Sequence, residues 1–133
     1  MSTPIYNTHQ YDIQNDLLIT NSLKPATSKA IRLQEEDIMK GWILRYCPKR
    51  WLLDISQANI DSSPNSIIKD DSRWHTFIRS SSIEKIAYVT GTNPSPQKYV
   101  QQTIKEHDIK EVKRVQLGNF ENKEQALEWL LQP

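Results

Sequence analysis

Glycine is scarce in this sequence, three among 133 residues, at Gly41, Gly91 and Gly118. Phosphate-cradling loops need glycine, because backbone amides must reach the anion with no Cβ in the way. Neither G-x-G-x-x-G nor G-x-x-x-x-G-K can be written from these three positions, which disfavours both usual modes of nucleotide binding. The G-x-S-x-G elbow of serine hydrolases is absent as well. Cysteine is scarcer still: Cys47 is alone, so no intrachain disulfide can form. It stands at the end of a helical pattern with tryptophans close in sequence, and reads as a buried thiol. No stretch approaches the roughly 18 apolar residues of a membrane-spanning helix. The start, "MSTPIYNTHQ", has neither a basic n-region nor an apolar h-segment, so a cytoplasmic protein is expected. Charge of one sign is also missing, since 17 basic side chains face 16 acidic ones. Along Lys105 to Arg114, the densest charged run, the signs alternate, and no stripe for nucleic acid or a membrane surface results.

What is present fits an ordinary globular chain. The 37% hydrophobic and 25% charged residues, at this length, suit one domain around one layered core. No internal repeat or low-complexity segment interrupts it, and one domain over 1–133 is expected, with the first four residues outside the fold.

The order of elements follows from periodicity and punctuation. Two β-rich stretches, Ile5 to Ile13 and Leu17 to Leu23, flank Gln14-Asn15-Asp16 and predict an antiparallel hairpin. Lys24 to Ala30 has no period and reads as loop. From Leu33, Gln34-Glu35-Glu36-Asp37 puts three acids in a first turn, and Ile38, Met39, Trp42, Ile43 and Tyr46 recur at helical spacing until Pro48. "RWLLDI" follows as a strand covered on both faces. Pro64 opens a helix carrying Ile67, Trp74, Phe77 and Ile78; at Asp70-Asp71 it either continues or breaks, with Asp71 capping a second helix from Ser72. Lys85 to Thr90 is another covered strand. Ser95 then caps a helix with Pro96 at its first position and Tyr99, Val100, Thr103, Ile104 and His107 on its buried stripe. "VKRVQL" alternates as an outer strand. Asn122, with Gln125 three residues later, starts a last helix burying Ala126, Leu127, Leu130 and Leu131.

The resulting string is β-β-α-β-α-β-α-β-α. Alternating strands and helices need right-handed crossovers, so the expected fold is α/β: a mixed, mainly parallel sheet with an N-terminal antiparallel hairpin and about four helices.

Candidate chemistry is thin. His9, His75 and His107 lie in different elements without ligand spacing, and give a metal site no support. Asp54 ends a central strand, as the acid of a response-regulator receiver does. A receiver also needs an acidic pair at its first strand, and the hairpin offers only the separated Asp12 and Asp16. Thr90-Gly91-Thr92-Asn93-Pro94-Ser95 joins a strand end to a helix start, where open α/β sheets tend to bind ligands. Thr90, Gly91, Thr92, Asn93 and Ser95 are therefore a candidate ligand or partner loop, beside the plainer reading of a helix start.

"LLDIS", a short link and "IDSS" before a helix resemble the STAS domain of anti-sigma factor antagonists. There an apolar strand ending in Asp-Leu-Ser leads to Asp-Ser-Ser-Gly at a helix amino terminus, and the serine before the glycine is phosphorylated by a partner kinase. By position the resemblance implies Ser63 as phosphoacceptor, with Ser62 beside it; Pro64 departs from the pattern by replacing the glycine. The chain is similar, more closely, to the STAS-like small bacterial proteins described as SpoIIAA-like or SEC14-like. The similarity rests on Lys49 to Ile55, Trp74, Ile83 to Val89, and Glu124 to Leu130, and spans about Tyr11 to Leu131. A phosphate near a helix amino terminus is electrostatically favoured. Pro64, however, removes the amide that would face it, and Ser63 as a simple cap needs no partner.

The functional expectation is a non-enzymatic regulatory or protein-interaction module of STAS-like type, without cofactor or metal. Its partner is expected to be a protein, with a homodimer left open, no nucleic acid and no integral membrane association. The alternative is a small-molecule or lipid-binding module, suggested by the SEC14-like side of the resemblance.

Overall fold

A computed structural model describes residues 6–23, 29–57, 71–92, 94, 97, 98, 100, 101, 104, 105 and 115–132. Five strands form one sheet in sequence order: β1 (Asn7–Asp12), β2 (Leu17–Ser22), β3 (Arg50–Asp54), β4 (Lys85–Val89) and β5 (Gln116–Phe120). β1 runs antiparallel to β2, and β2 to β5 are mutually parallel. Three helices are α1 (Lys29–Tyr46), α2 (Asp71–Ser80) and α3 (Lys123–Leu130), and the described residues between 94 and 105 are helical too. The expected mixed α/β architecture is thus present.

Sequential strand order decides where the helices go. Each parallel crossover is right-handed and steps in the same direction, so all must lie over one face of the sheet. The core matches: Leu18, Trp51, Ile86 and Tyr88 from that face pack with Ile43 of α1, Ile78 of α2 and Val100. After β5 the chain turns to the opposite face. There Leu17, Leu52, Ala87 and Val89 meet Ala126 and Leu130 of α3. α3 spans β3, β4 and β5. Thr8 and Gln10 of β1 share this second face and are exposed, the solvated polar side that an antiparallel hairpin tolerates.

Several boundaries differ from expectation. α1 starts at Lys29, because Lys-Ala-Ile-Arg are sound helix formers with no breaker before Leu33. Its acids therefore lie within the helix, where Glu36 pairs with Lys40 at 3.2 Å. A helix begins at Asp71, while its expected opening at Pro64 lies outside the described residues. β5 covers Gln116–Phe120, running past the expected end at Leu117, while Val112 to Arg114 of the expected strand lie outside the described residues. Glycine weakens strands, yet Gly118 lies within this one. Here Gly118 has a use, since a Cβ on it would come within 2.7 Å of the Phe120 ring. Cys47 is exposed, contrary to the expected burial. It ends α1 in the left-handed region (φ 47), donates its amide to Ile43 and points its thiol toward the Leu44 carbonyl, leaving Pro48 to fill the core. Ile13 falls in the hairpin turn and Leu131 caps α3, so both are exposed. The expected Asn122 cap is present, its side chain accepting the Gln125 amide at 2.9 Å.

The hairpin turn is pinned by Asp16. It sits at φ 50, a value that Asp tolerates better than most residues. Its carboxylate accepts the Tyr11 hydroxyl at 2.6 Å and the Lys49 amide at 3.3 Å, and its carbonyl accepts the Arg50 amide at 3.3 Å. The hydrogen bond to Asp16, more than burial or the nearby charges, pushes the Tyr11 phenol up to about 12 from 10.0. A raised pKa means that the folded chain keeps a proton the unfolded chain has lost. The stability from this bond is therefore full below pH 10 and is lost as pH rises through about 12. Urea midpoints measured from neutral to strongly alkaline pH should fall across that window in the native chain. In Tyr11→Phe they should fall less, and an identical slope would remove Asp16 as the cause.

Candidate functional site

The carboxyl ends of β3, β4 and β5 collect the polar side chains of interest. Asp54, the last residue of β3, is largely buried and accepts both the amide and the hydroxyl of Ser56 on Oδ1, at 2.9 and 2.6 Å. Such an i to i+2 turn is what a short acidic side chain makes where a strand stops. Oδ2 faces the half-exposed Lys123 ammonium, from the first turn of α3, at 3.7 Å. One residue beyond β4, Thr90 is buried and donates its hydroxyl to the Asn119 side-chain oxygen of β5 at 2.9 Å. Its amide reaches the Phe120 carbonyl at 3.0 Å, extending the ladder past the strand.

Gly91 is required at this edge. Its φ of 63 suits glycine, and a Cβ there would lie 3.3 Å from the Ser56 Cβ, so the turns after β3 and β4 meet backbone to side chain. Gln97 closes the second turn by donating to the Gly91 carbonyl at 2.9 Å.

Topology supplies the other half of the site. The connections after β3 and β4 leave toward the α1 and α2 face, whereas the one after β5 leaves toward the α3 face. Diverging connections open a crevice outside the carboxyl ends of strands, the usual place for ligands of open α/β sheets.

Of the residues singled out in the sequence, Thr90, Gly91 and Thr92 lie at this edge, Thr92 exposed and Thr90 buried. Asn93, Ser95, Ser62 and Ser63 fall outside the described residues. Ser56, Asn119 and Lys123 were not anticipated. Their one signal was position, each within three residues of a strand end, and that is visible only once strand order is known. Asp12 and Asp16 lie at the opposite edge, where β2 and β3 begin; Arg50, level with Asp12 across β2, is about 13 Å of strand from Asp54 at about 3.3 Å per residue. A receiver-type metal pocket is therefore not assembled from these acids. Among the described residues no group of three His, Cys, Asp or Glu could hold a metal ion.

Comparison with family models, with curated proteins and with solved structures gives no match to this chain. Among the described residues no helix is long and apolar enough to cross a membrane.

Proposed function

We propose that this chain is a non-enzymatic regulatory module of STAS-like type that binds a protein partner through the carboxyl edge of its sheet. The observation that carries the reading is the meeting of Asp54, Ser56, Thr90, Asn119 and Lys123, from three strand ends, where the connections diverge. Their polar atoms are paired in two sets, Asp54 with Ser56 and Lys123 and Thr90 with Asn119, which suits a preset recognition surface. A nucleophile would need a base aligned on an otherwise free hydroxyl. The Thr90 hydroxyl is spent on an amide oxygen, and the Ser56 hydroxyl shares its carboxylate oxygen with a backbone amide. Ser63, with Ser62, is the proposed phosphoacceptor, on the connection from β3 to α2. A phosphoryl group there adds about −1.5 to −2 charges to a connection that starts beside Asp54.

The small-molecule alternative rests on the topology, since diverging connections receive ligands in other open sheets. One experiment separates the two. The full chain and its Asp54→Lys variant are used to capture proteins from the native cells, and each is also weighed intact under non-denaturing conditions. The expected result is a stoichiometric protein partner that the variant, compared at a temperature where both chains are folded, retains at least tenfold less. Identical capture by both chains, or none, overturns the reading. A noncovalent small adduct lost on denaturation would transfer the site to the alternative.

A further inference from the structure

A second polar cluster lies away from this edge, under α1, and joins β1, β2 and β3. Thr20 of β2 is fully buried and accepts the Trp51 indole N–H at 2.9 Å. His9 Nδ1 of β1 lies 2.9 Å from the same hydroxyl oxygen. A hydroxyl has one proton and two lone pairs. With one lone pair taken by the indole, the Thr20 hydroxyl can donate its proton to His9 Nδ1, in the tautomer that carries the imidazole proton on Nε2. That nitrogen is buried and has no hydrogen-bond partner among the described residues.

The surroundings are apolar on one side and weakly acidic on another. The imidazole packs on Trp42 of α1 with ring centroids 5.6 Å apart. Glu35, also on α1, is held by Asn7 of β1, whose side-chain amide donates to it at 2.9 Å. β2 and β3 present Thr20 and Trp51, which do not titrate. Tyr11, two residues along β1, is occupied by Asp16 and stacks on Tyr46. Glu35 is thus the acid whose charge acts on His9.

We propose that His9 is a proton-sensitive latch between α1 and the β1–β2 hairpin: its neutral form completes the Trp51–Thr20–His9 chain beneath Trp42, and a second proton breaks that chain. The imidazolium is a donor at both nitrogens. Nδ1–H then takes the remaining Thr20 lone pair, the Thr20 proton loses its acceptor, and a charge is buried with Nε2 still unpaired. Burial lowers the His9 pKa from 6.5, and Glu35 offsets this in part. The unfolded chain therefore binds the extra proton more readily. Stability present above pH 6.5 is lost as the pH falls through the folded value.

The test uses the full chain, with amide hydrogen exchange corrected for intrinsic rates and the imidazole titration followed by NMR, from about pH 7.5 to about 5. Exchange in α1 should rise relative to α3 as the pH falls, because the unfolded and opened chain takes up the proton more readily. The His9 midpoint should lie below 6.5. Glu35→Gln, which keeps an acceptor for Asn7, should move it lower still. His9→Phe, which retains a ring against Trp42, should make α1 exchange insensitive to pH. An α1 whose protection does not change, or a His9 midpoint at or above 6.5, overturns the proposal. Should His9→Phe fail to fold, the displacement of the His9 midpoint by Glu35→Gln decides, and an unmoved midpoint rejects the latch.

Discussion

Trp51→Ala is expected to cost about 3–5 kcal/mol, the range for deleting a buried large aromatic side chain. Domains of this size are stable by about 5–15 kcal/mol, so the loss is a large fraction of the total and the urea midpoint should fall sharply. The expectation rests on position. Trp51 is fully buried in the second of the four parallel strands, between Leu18 of β2 and Ile86 of β4, under the layer that α1 and α2 form. Truncation would also leave Thr20, and through it His9, without the indole donor. Trp51→Phe keeps a ring but not the N–H, and should lose less. Urea unfolding followed by far-ultraviolet circular dichroism gives both values without relying on the deleted fluorophore. A loss below about 1 kcal/mol for Trp51→Ala, the scale of one ordinary hydrogen bond, would mean that the core closes over the site.

Trp51 also shows what the sequence made legible. Its place in a nearly continuous apolar run is a pattern signal, and that run is the buried strand β3. The same kind of signal located β2, β4, the hairpin and the Asn122 cap. Trp42 and Trp129 are only half-buried, for they sit where α1 and α3 border solvent. Boundaries failed where a residue serves a neighbour distant in sequence or a chain reversal. Gly118 makes room for Phe120, and Cys47 takes a left-handed turn that no periodicity announces. The carboxyl edge was half visible. Thr90 and Gly91 follow an obvious strand, but their partners Asn119 and Ser56 are 29 residues away from Thr90 and across a strand boundary from Gly91. Such pairing depends on strand order, which sequence pattern alone does not order. The His9 cluster was invisible for the same reason, being assembled from three strands and a helix.

Leu130→Ala is expected to cost about 2–5 kcal/mol and to release α3 before the rest of the sheet. α3 has eight residues, about 12 Å of helix, too short to persist in water on its own. Its helical state therefore depends on what it buries, and Ala126 and Leu130 are its two fully buried side chains. Leu130 packs into the cluster of Leu17, Leu52, Ala87 and Val89. The same end of α3 is held from the sheet by Arg50, whose Nε donates to the Leu130 carbonyl at 2.9 Å, and by Lys85, whose ammonium donates to the carbonyls of Trp129 and Gln132 at 3.2 and 3.1 Å. Cations at a helix carboxyl terminus also complement its dipole. These bonds orient the helix end, whereas Leu130 is the one large side chain of the helix that is fully buried. Leu127→Ala, at a half-buried position of the same helix, should lose distinctly less. Hydrogen exchange in the Leu130→Ala chain should show α3 amides opening ahead of β2 and β3. A uniform loss of protection would mean that α3 and the sheet unfold as one unit, and equal losses at 127 and 130 would move the docking energy from the buried leucine to the polar end of the helix.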